Sequence, residues 1–365
     1  MMKLFCITTG GGLGNQIMSY SLWLYLKRSG FRTVLYLRKN NLERIFDIKD
    51  SLIKKKYFDF FIYLIKRWSD CTRFFNKVFG KEKNTEYSSL LGIKVIDYPE
   101  WGDYKFINEI LPELKKKFSF PKDDNENNVR IINLIQKSDS VSVHVRRGDY
   151  QNSIHWRIIL GDICDTEYYE KAIEKAYSFF SKPTFFVFSD DIEWVKSNLY
   201  LTDPVFVDWN KGEDAFRDIQ LMSYCKMNII ANSTFSLCAS WLNVNKKPIR
   251  IVPSKWLNNS SDNLLCKYIP SDWIVVDNSK PTISIISNSK LSEDAIRNIL
   301  KQRYSDFELI LNNNDTAKFW DDRIKTSEVN GKYVYNYLQD DSLKFRNRNY
   351  LWNWLSEKYA NELYG

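Results

Sequence analysis

Along most of this chain short apolar runs alternate with amphipathic stretches, and the two kinds come in pairs. Met2–Thr9 reads as a strand, Gly10–Gly14 as a glycine turn and Asn15–Ser29 as a helix. In that helix Ile17, Tyr20, Ser21 and Leu24 recur with the helical period, and Gly30 stands where a C-cap belongs. Thr33–Leu37 is a second strand. Residues 41–130 carry weaker signals; they read as mostly helical, with a polar loop over Pro121–Asn128.

From Ser140 the pattern is regular. Val141, Val143 and Val145 alternate with Ser142, His144 and Arg146, the two-residue period of a strand. There follow a helix over Thr166–Phe180, a strand over Thr184–Ser189, a short helix over Ile192–Ser197 and a strand over Val205–Asp208. A helix from about Glu213 to Cys225 leads to a strand over Met227–Ala231. Asn232–Ser236 then turns into a helix through Trp241, and Pro248–Val252 is a strand again. Strands alternating with helices predict parallel sheets covered on both faces. Two such runs predict two α/β domains, over 1–138 and 139–278, and a third pattern fills 279–365.

Length and composition fit this organisation. The 365 residues suit two domains and an appendage at roughly 150 residues per domain, and 44% hydrophobic with 27% charged residues excludes wholesale disorder. The net charge of +8 favours an anionic partner, and the aromatic content of 16% hints at stacking or sugar-facing surfaces. Lys54–Lys56 and Lys115–Lys117 are too short for nucleic-acid tails, and no nucleic-acid-binding motif accompanies them. Six scattered cysteines without C-x-x-C spacing, beside only His144 and His155, predict neither a zinc site nor a disulfide framework. There is no secretory signal, and the greasiest stretch, Tyr57–Ile65, falls far short of the ~20 residues of a membrane span. The expected location is therefore the cytoplasm. The basic, aromatic segment Ser51–Phe79 reads either as a packing helix or as a peripheral contact with the inner membrane face.

Four segments carry candidate chemistry. Gly10-Gly11-Gly12-Leu13-Gly14-Asn15-Gln16 lets a ligand approach the backbone at a helix N-terminus. It lacks the Gly-Lys-Ser/Thr ending of a P-loop and the spacing of a dinucleotide fingerprint, and the second strand ends in Leu37-Arg38-Lys39 without a ribose-binding acid. His144-Val145-Arg146-Arg147-Gly148-Asp149-Tyr150 places His144 and Arg146 on one strand face near its C-terminal end, where parallel sheets bind ligands and an arginine fork fits a pyrophosphate. Phe188-Ser189-Asp190-Asp191 offers acids for a sugar or base, or caps for the next helix. Asp218, followed by Asn232-Ser233-Thr234-Phe235-Ser236, suits a phosphate or nucleoside hydroxyl, with simple capping as the rival reading.

In this order the four segments resemble the bacterial α-1,2-fucosyltransferases, over about residues 3–275. The chain has Leu237-Cys238-Ala239-Ser240-Trp241 where family members often carry Trp-Trp-Gly-Ala-Trp. The resemblance implies an α/β fold of GT-B type, with two facing Rossmann-like domains, GDP-β-L-fucose as donor and a galactose 2-hydroxyl as acceptor. It implies an inverting, metal-independent transfer in surface-glycan or O-antigen synthesis, onto a galactose-terminated acceptor, either free or lipid-linked. By motif position, Arg146 would bind the β-phosphate with His144 beside it. Gly12, Gly14, Asn15 and Gln16 would face the phosphates and the reacting sugar, with Asn15 and Arg146 catalytic. Arg147, Tyr150, Asp190, Asp191, Asp218 and Asn232–Ser236 would hold the nucleotide, and Asp149 is the candidate base.

The third pattern is different. Pro281–Ile286, a helix through Gln302 and Tyr304–Ile310 resemble the opening of family-two, GT-A-type glycosyltransferases. Asn312-Asn313-Asn314-Asp315 stands where paired acids belong, and Asp340-Asp341 is a candidate remnant of the metal-binding acids. The segment reads as a truncated, inactive extension, or as an unrelated small α/β unit. A decayed tail also keeps open a non-catalytic nucleotide-sugar or glycan-binding protein.

Overall fold

The structure, a computed structural model, describes residues 4–9, 11–37, 41–46, 48, 88–90, 93–97, 105–258, 269–278, 280–289, 291–302, 304–311, 323–325, 329–338 and 341–364. Gly10, Arg38, Lys39, the segment 51–79, residues 312–315 and Asp340 lie outside them.

Three sheets organise these residues. In the first, β1 (Leu4–Thr9) pairs in parallel with β2 (Arg32–Leu37) through the helix Leu13–Arg28. The other edge of β1 is not left open: β4 (Ile93–Asp97) joins it in parallel, and β3 (Ser88–Leu90) adds an antiparallel edge. These two strands depart from the mostly helical reading of 41–130. The run at Ile93 is only five residues long; Ile93, Val95 and Ile96 favour a strand, and the open side of β1 gives it a partner. The helices Asn41–Phe46, Lys105–Lys117 and Glu126–Lys137 fill the rest of the described region.

The second sheet is wholly parallel. Its strands are β5 (Asp139–Val145), β6 (Pro183–Ser189), β7 (Val205–Val207), β8 (Met227–Ile229), β9 (Ile249–Pro253) and β10 (Ile274–Val276), in the spatial order β10-β9-β8-β5-β6-β7. β5 is central. Val141, Val143 and Val145 are fully buried on one face, and helices also cover Ser140, Ser142 and His144 on the other. Helices Gly148–Asn152 and Ile154–Leu160, which the periodicity does not announce, follow β5 directly.

The first two units share one continuous apolar core, which joins Ile17 and Tyr20 of the first helix to Leu237 and Cys238 of the helix Thr234–Trp241. Gly14 permits that contact, because a Cβ there would lie 2.7 Å from the backbone carbon and oxygen of Thr234. Two facing parallel-sheet units of this kind are the expected GT-B arrangement.

The third sheet, β11 (Ile283–Ser287), β12 (Phe307–Leu311), β13 (Ile324–Lys325) and β14 (Tyr333–Asn336), is also parallel, in the order β13-β12-β11-β14. The helix Glu293–Leu300 connects β11 to β12, and the helix Tyr350–Tyr364 closes the chain. Asp341 is not a remnant metal ligand here. It is buried, and its carboxylate accepts from the backbone N–H of Leu338 and the ammonium of Lys344. Among the described residues no helix is long and apolar enough to cross a membrane.

Candidate functional site

A cavity of about 1250 Å³ opens between the first two units, beyond the C-terminal ends of their parallel strands. Gly11–Asn15 lines one wall and His144, Arg146, Asp149, Tyr150, Ser189 and Asp190 the facing one, joined by Asp218 and Ser233–Phe235. Two helix N-termini converge there. The helix Leu13–Arg28 begins at Gly12 with no side-chain cap and no acid in its first turn, and the helix Thr234–Trp241 is capped by Ser233. Their unpaired N–H groups and dipoles favour an anion between them.

Arg146 stands at the end of β5, held by two acids. Its Nη2 donates to Asp149 Oδ1 at 2.7 Å, and its Nη1 lies 2.8 Å from Asp190 Oδ2. The guanidinium also lies 5.5 Å from the Tyr150 ring centroid. Two of its five N–H donors are thus engaged, and three remain for a ligand. Gly148 makes the arrangement possible, since a Cβ there would meet Asp190 Oδ2 at 2.6 Å. The other Asp190 oxygen accepts from the backbone N–H of Arg147. Asp190 therefore orients the arginine instead of holding guanosine with free oxygens, as its motif position had implied.

His144 is buried, its Nδ1 has no hydrogen-bond partner among the described residues, and its ring packs 5.6 Å from that of Phe235. Desolvation pushes the imidazole down to about 4, with Asp190 opposing the shift and Arg146 adding to it. It is neutral at pH 7 and can offer or accept one hydrogen bond to a ligand. Burial raises the Tyr150 phenol to about 12, and its hydroxyl donates to the carbonyl of Asn232.

At the β7 end, Asp218 is the group most altered by its surroundings. Desolvation raises its carboxyl to about 7, although Asn210 Nδ2 donates to Oδ1 at 2.8 Å. Asn128 and the indole N–H of Trp209 extend this polar chain behind it. No described residue donates to its Oδ2.

Five residues assigned to the ligand by motif are placed elsewhere. Gln16 is buried under the turn, donating to the carbonyl of Gly11 and accepting from the N–H of Asn41, so it shapes the loop. Arg147 turns to Asp191 at 3.2 Å and lies over the Trp194 ring. Asp191 caps the helix Ile192–Asn198 by accepting from Trp194 N–H. Asn232 donates to the carbonyls of Leu160 and Trp256. Ser236 is buried against the carbonyl of Ser233. Each had the right residue type at the right spacing, but its contacts serve the scaffold that frames the cavity. Asn15 lines the cavity and also bridges the units, its Oδ1 accepting from Thr234 Oγ1 at 3.0 Å.

The sequence reading missed several lining residues. Arg44 reaches across to the carbonyl of Glu213 at 2.9 Å, and Asn210, Lys211 and Trp156 line the wall. Ser153, which caps the helix Ile154–Leu160, was a usable signal for the element carrying Trp156.

Comparisons with known proteins identify the family. The chain is 30% identical over 301 residues to an α-1,2-colitosyltransferase of Escherichia coli, covering 76% of this chain and 100% of that protein. It is 37% identical over 132 residues to the E. coli O-antigen biosynthesis glycosyltransferase WbnK, covering 35% of this chain and 43% of that protein. It is 26% identical over 253 residues to the galactoside 2-α-L-fucosyltransferase Sec1 of Mus musculus, covering 66% of this chain and 64% of that protein. Among solved structures, E. coli heptosyltransferase WaaC with ADP aligns at a TM-score of 0.34 and 9% identity, over 75% of this chain and 93% of that one. The family model of glycosyl transferase family 11 matches residues 2–277, and the chain belongs to that family of glycosyltransferases.

Proposed function

We propose that the protein is an inverting α-1,2-fucosyltransferase that moves L-fucose from GDP-β-L-fucose to the 2-hydroxyl of a β-galactoside in surface-glycan or O-antigen synthesis. The observation that carries this reading is Arg146, fixed by Asp149 and Asp190 and lining one cavity with the N-termini of the helices Leu13–Arg28 and Thr234–Trp241. That arrangement suits a diphosphate; the name of the Sec1 relative supports fucose and a galactoside acceptor, and that of the colitosyltransferase supports the α-1,2 linkage.

In the proposed reaction the acceptor's O2 attacks C1 of fucose from the face opposite the nucleotide. The C1–O bond to GDP breaks through an oxocarbenium-like transition state, and the electron pair leaves with the diphosphate. Arg146 and the N–H groups of the two helices stabilise the growing negative charge where a divalent cation would otherwise serve. The acceptor proton leaves late. Asp149 is the base in this scheme, because only its Oδ1 is engaged by Arg146, whereas both oxygens of Asp190 are. At the β7 end, Asp218 receives the paired N–H donors of the guanine edge, and Asn210 holds its other oxygen in place. Peripheral attachment to a membrane through the basic segment, with a lipid-linked acceptor, belongs to the same proposal.

A transfer assay with GDP-fucose and a β-galactoside in EDTA tests it. An α-1,2-linked product and GDP in equal amounts are expected. GDP-fucose binding with no transfer to any β-galactoside would leave a nucleotide-sugar-binding protein instead.

A further inference from the structure

The cavity has two ends of different chemistry. β5, which carries Arg146, is the middle of the second sheet; β6 and β7 lie to one side and β8 and β9 to the other. The β7 side is polar, with Asp208, Asn210 and Asp218. The side toward β9 is apolar and is lined by Trp156, Ile159, Leu160 and Leu257. The helix Ile154–Leu160 forms most of this second end, and the loop after β9 fixes it there, with Asn258 donating to the carbonyls of Ile159 and Gly161.

One face of this helix carries Trp156, Ile159 and Leu160, at i, i+3 and i+4, and lines the cavity. The opposite face belongs to the C-terminal unit. Ile158 is 1% exposed and sits in the core formed by Ile283, Ile285, Tyr304 and Tyr359. Arg157 pairs with Asp162 at 3.3 Å and Glu362 at 2.7 Å and lies over the Tyr359 ring. The His155 ring lies 4.9 Å from that of Trp156 and 5.9 Å from that of Trp352, which links the cavity wall to the last helix through three aromatic rings.

Trp156 itself is 44% exposed although it is braced on one side. A large indole held half in water at the rim of a cavity is a surface awaiting an apolar ligand face. A galactopyranoside has such a face, because its C–H bonds cluster on one side of the ring.

We propose that Trp156 is the stacking platform for the acceptor's terminal galactoside, and that the C-terminal unit, beyond the family match at residue 277, is the brace that holds this platform in place. The proposal rests on the fucosyltransferase reading for the identity of the acceptor. It assigns the apolar end of the cavity to the acceptor and the polar end to the nucleotide, with Arg146 between them. His155 and Trp352 are positioning residues, which act through Trp156.

The test measures KM separately for lactose and for GDP-fucose in the full chain and in Trp156→Ala, Trp156→Phe and Trp352→Ala. Trp156→Ala is expected to raise the lactose KM about tenfold or more while the GDP-fucose KM moves less than twofold. Trp156→Phe, which keeps an aromatic face, should recover most of the loss, and Trp352→Ala should raise the lactose KM about threefold. A lactose KM unchanged by Trp156→Ala, or a GDP-fucose KM that rises in parallel, overturns the platform. An effect of Trp156→Ala with none of Trp352→Ala overturns the brace. Saturation-transfer NMR with methyl β-D-galactopyranoside, together with calorimetry on GDP-fucose, separates the two proposals. Loss of galactoside binding in Trp156→Ala supports the platform even where no transfer is seen, and absence of GDP-fucose binding by the full chain rejects the fucosyltransferase reading alone. Galactoside binding absent from the full chain, or retained by Trp156→Ala, rejects the platform.

Discussion

At the end of β5, Asp149 and Asp190 grip Arg146 and leave three of its donors facing the cavity. In the C-terminal sheet, acids placed on and beside parallel strands do something else. Glu308 of β12 is buried and accepts from Ser284 Oγ and the N–H of Asn330. Asp306 accepts from Thr282 N–H and from Lys255 of the second unit at 2.7 Å, and Asp341 is closed off by Leu338 and Lys344. Both regions are parallel α/β layers with similar residue types. Parallel architecture alone therefore does not make a site; it needs polar capacity at the strand ends left over after the fold is satisfied. In the second sheet that surplus faces a cavity. In the third, Asp306, Glu308 and Asp341 among the described residues are used internally or in docking.

The largest break in this contrast is Arg146→Ala. It removes the cation and leaves Asp149 and Asp190 repelling each other and the incoming diphosphate. Transfer should fall by about a thousandfold or more, equivalent to ~4 kcal/mol of transition-state stabilisation, with an unchanged circular dichroism spectrum. Near-normal turnover would remove the distinction between the two sheets at its root.

Glu308→Ala probes the other side. The N–H of Asn330 and the hydroxyl of Ser284 lose their acceptor, at a cost of about 2 kcal/mol in the stability of the C-terminal unit. Thermal melting should begin several degrees lower, while GDP affinity at 25 °C stays within twofold. A collapse of GDP affinity would mean that the third sheet contributes directly to nucleotide binding.

The smallest effect, and the sharpest in form, belongs to Asp218. Its carboxyl titrates at about 7 in the fold, against 3.8 for an unperturbed aspartate. Between those values the folded chain keeps a proton that the unfolded chain has released, so this group's contribution to stability falls as pH rises from about 4 to about 7 and is level above. Asp218→Asn should flatten that slope. A ligand that donates to the carboxylate favours its charged form, so GDP affinity should decline as pH drops below about 7, with proton release on binding near pH 6.5. Asp218→Asn should weaken GDP about tenfold, or ~1.4 kcal/mol, by calorimetry. An affinity that is flat between pH 6 and 8 would place the nucleotide away from Asp218.

Much of the fold was legible because β5 to β9, the helices Thr166–Phe179, Phe216–Tyr224 and Thr234–Trp241, and the β11–helix–β12 unit carry clean two- and 3.6-residue periods, whereas the two short helices after β5 do not. β3 and β4 were not legible, since both are short and are positioned by the side of β1 that they extend. The motif segments did converge on one cavity, but the roles inside them divided. Asp190 and Asp191 are adjacent and identical, yet one aims the arginine and the other caps a helix. Gln16 and Asn15 are neighbours, yet one supports a turn and the other bridges two units.

Periodicity, glycine placement and the order of the motifs are local properties of the chain; they were enough to predict two α/β units with an arginine near a strand's C-terminal end, while the facing arrangement came from the family resemblance. Which side chains keep unsatisfied hydrogen bonds is not local. It depends on whether a partner arrives from 40 or 200 residues away, as Asp190 does for Arg146 and Glu362 for Arg157. The tertiary structure alone decided that, and with it which polar residues remain available to a ligand and which wall of the cavity the C-terminal unit supports.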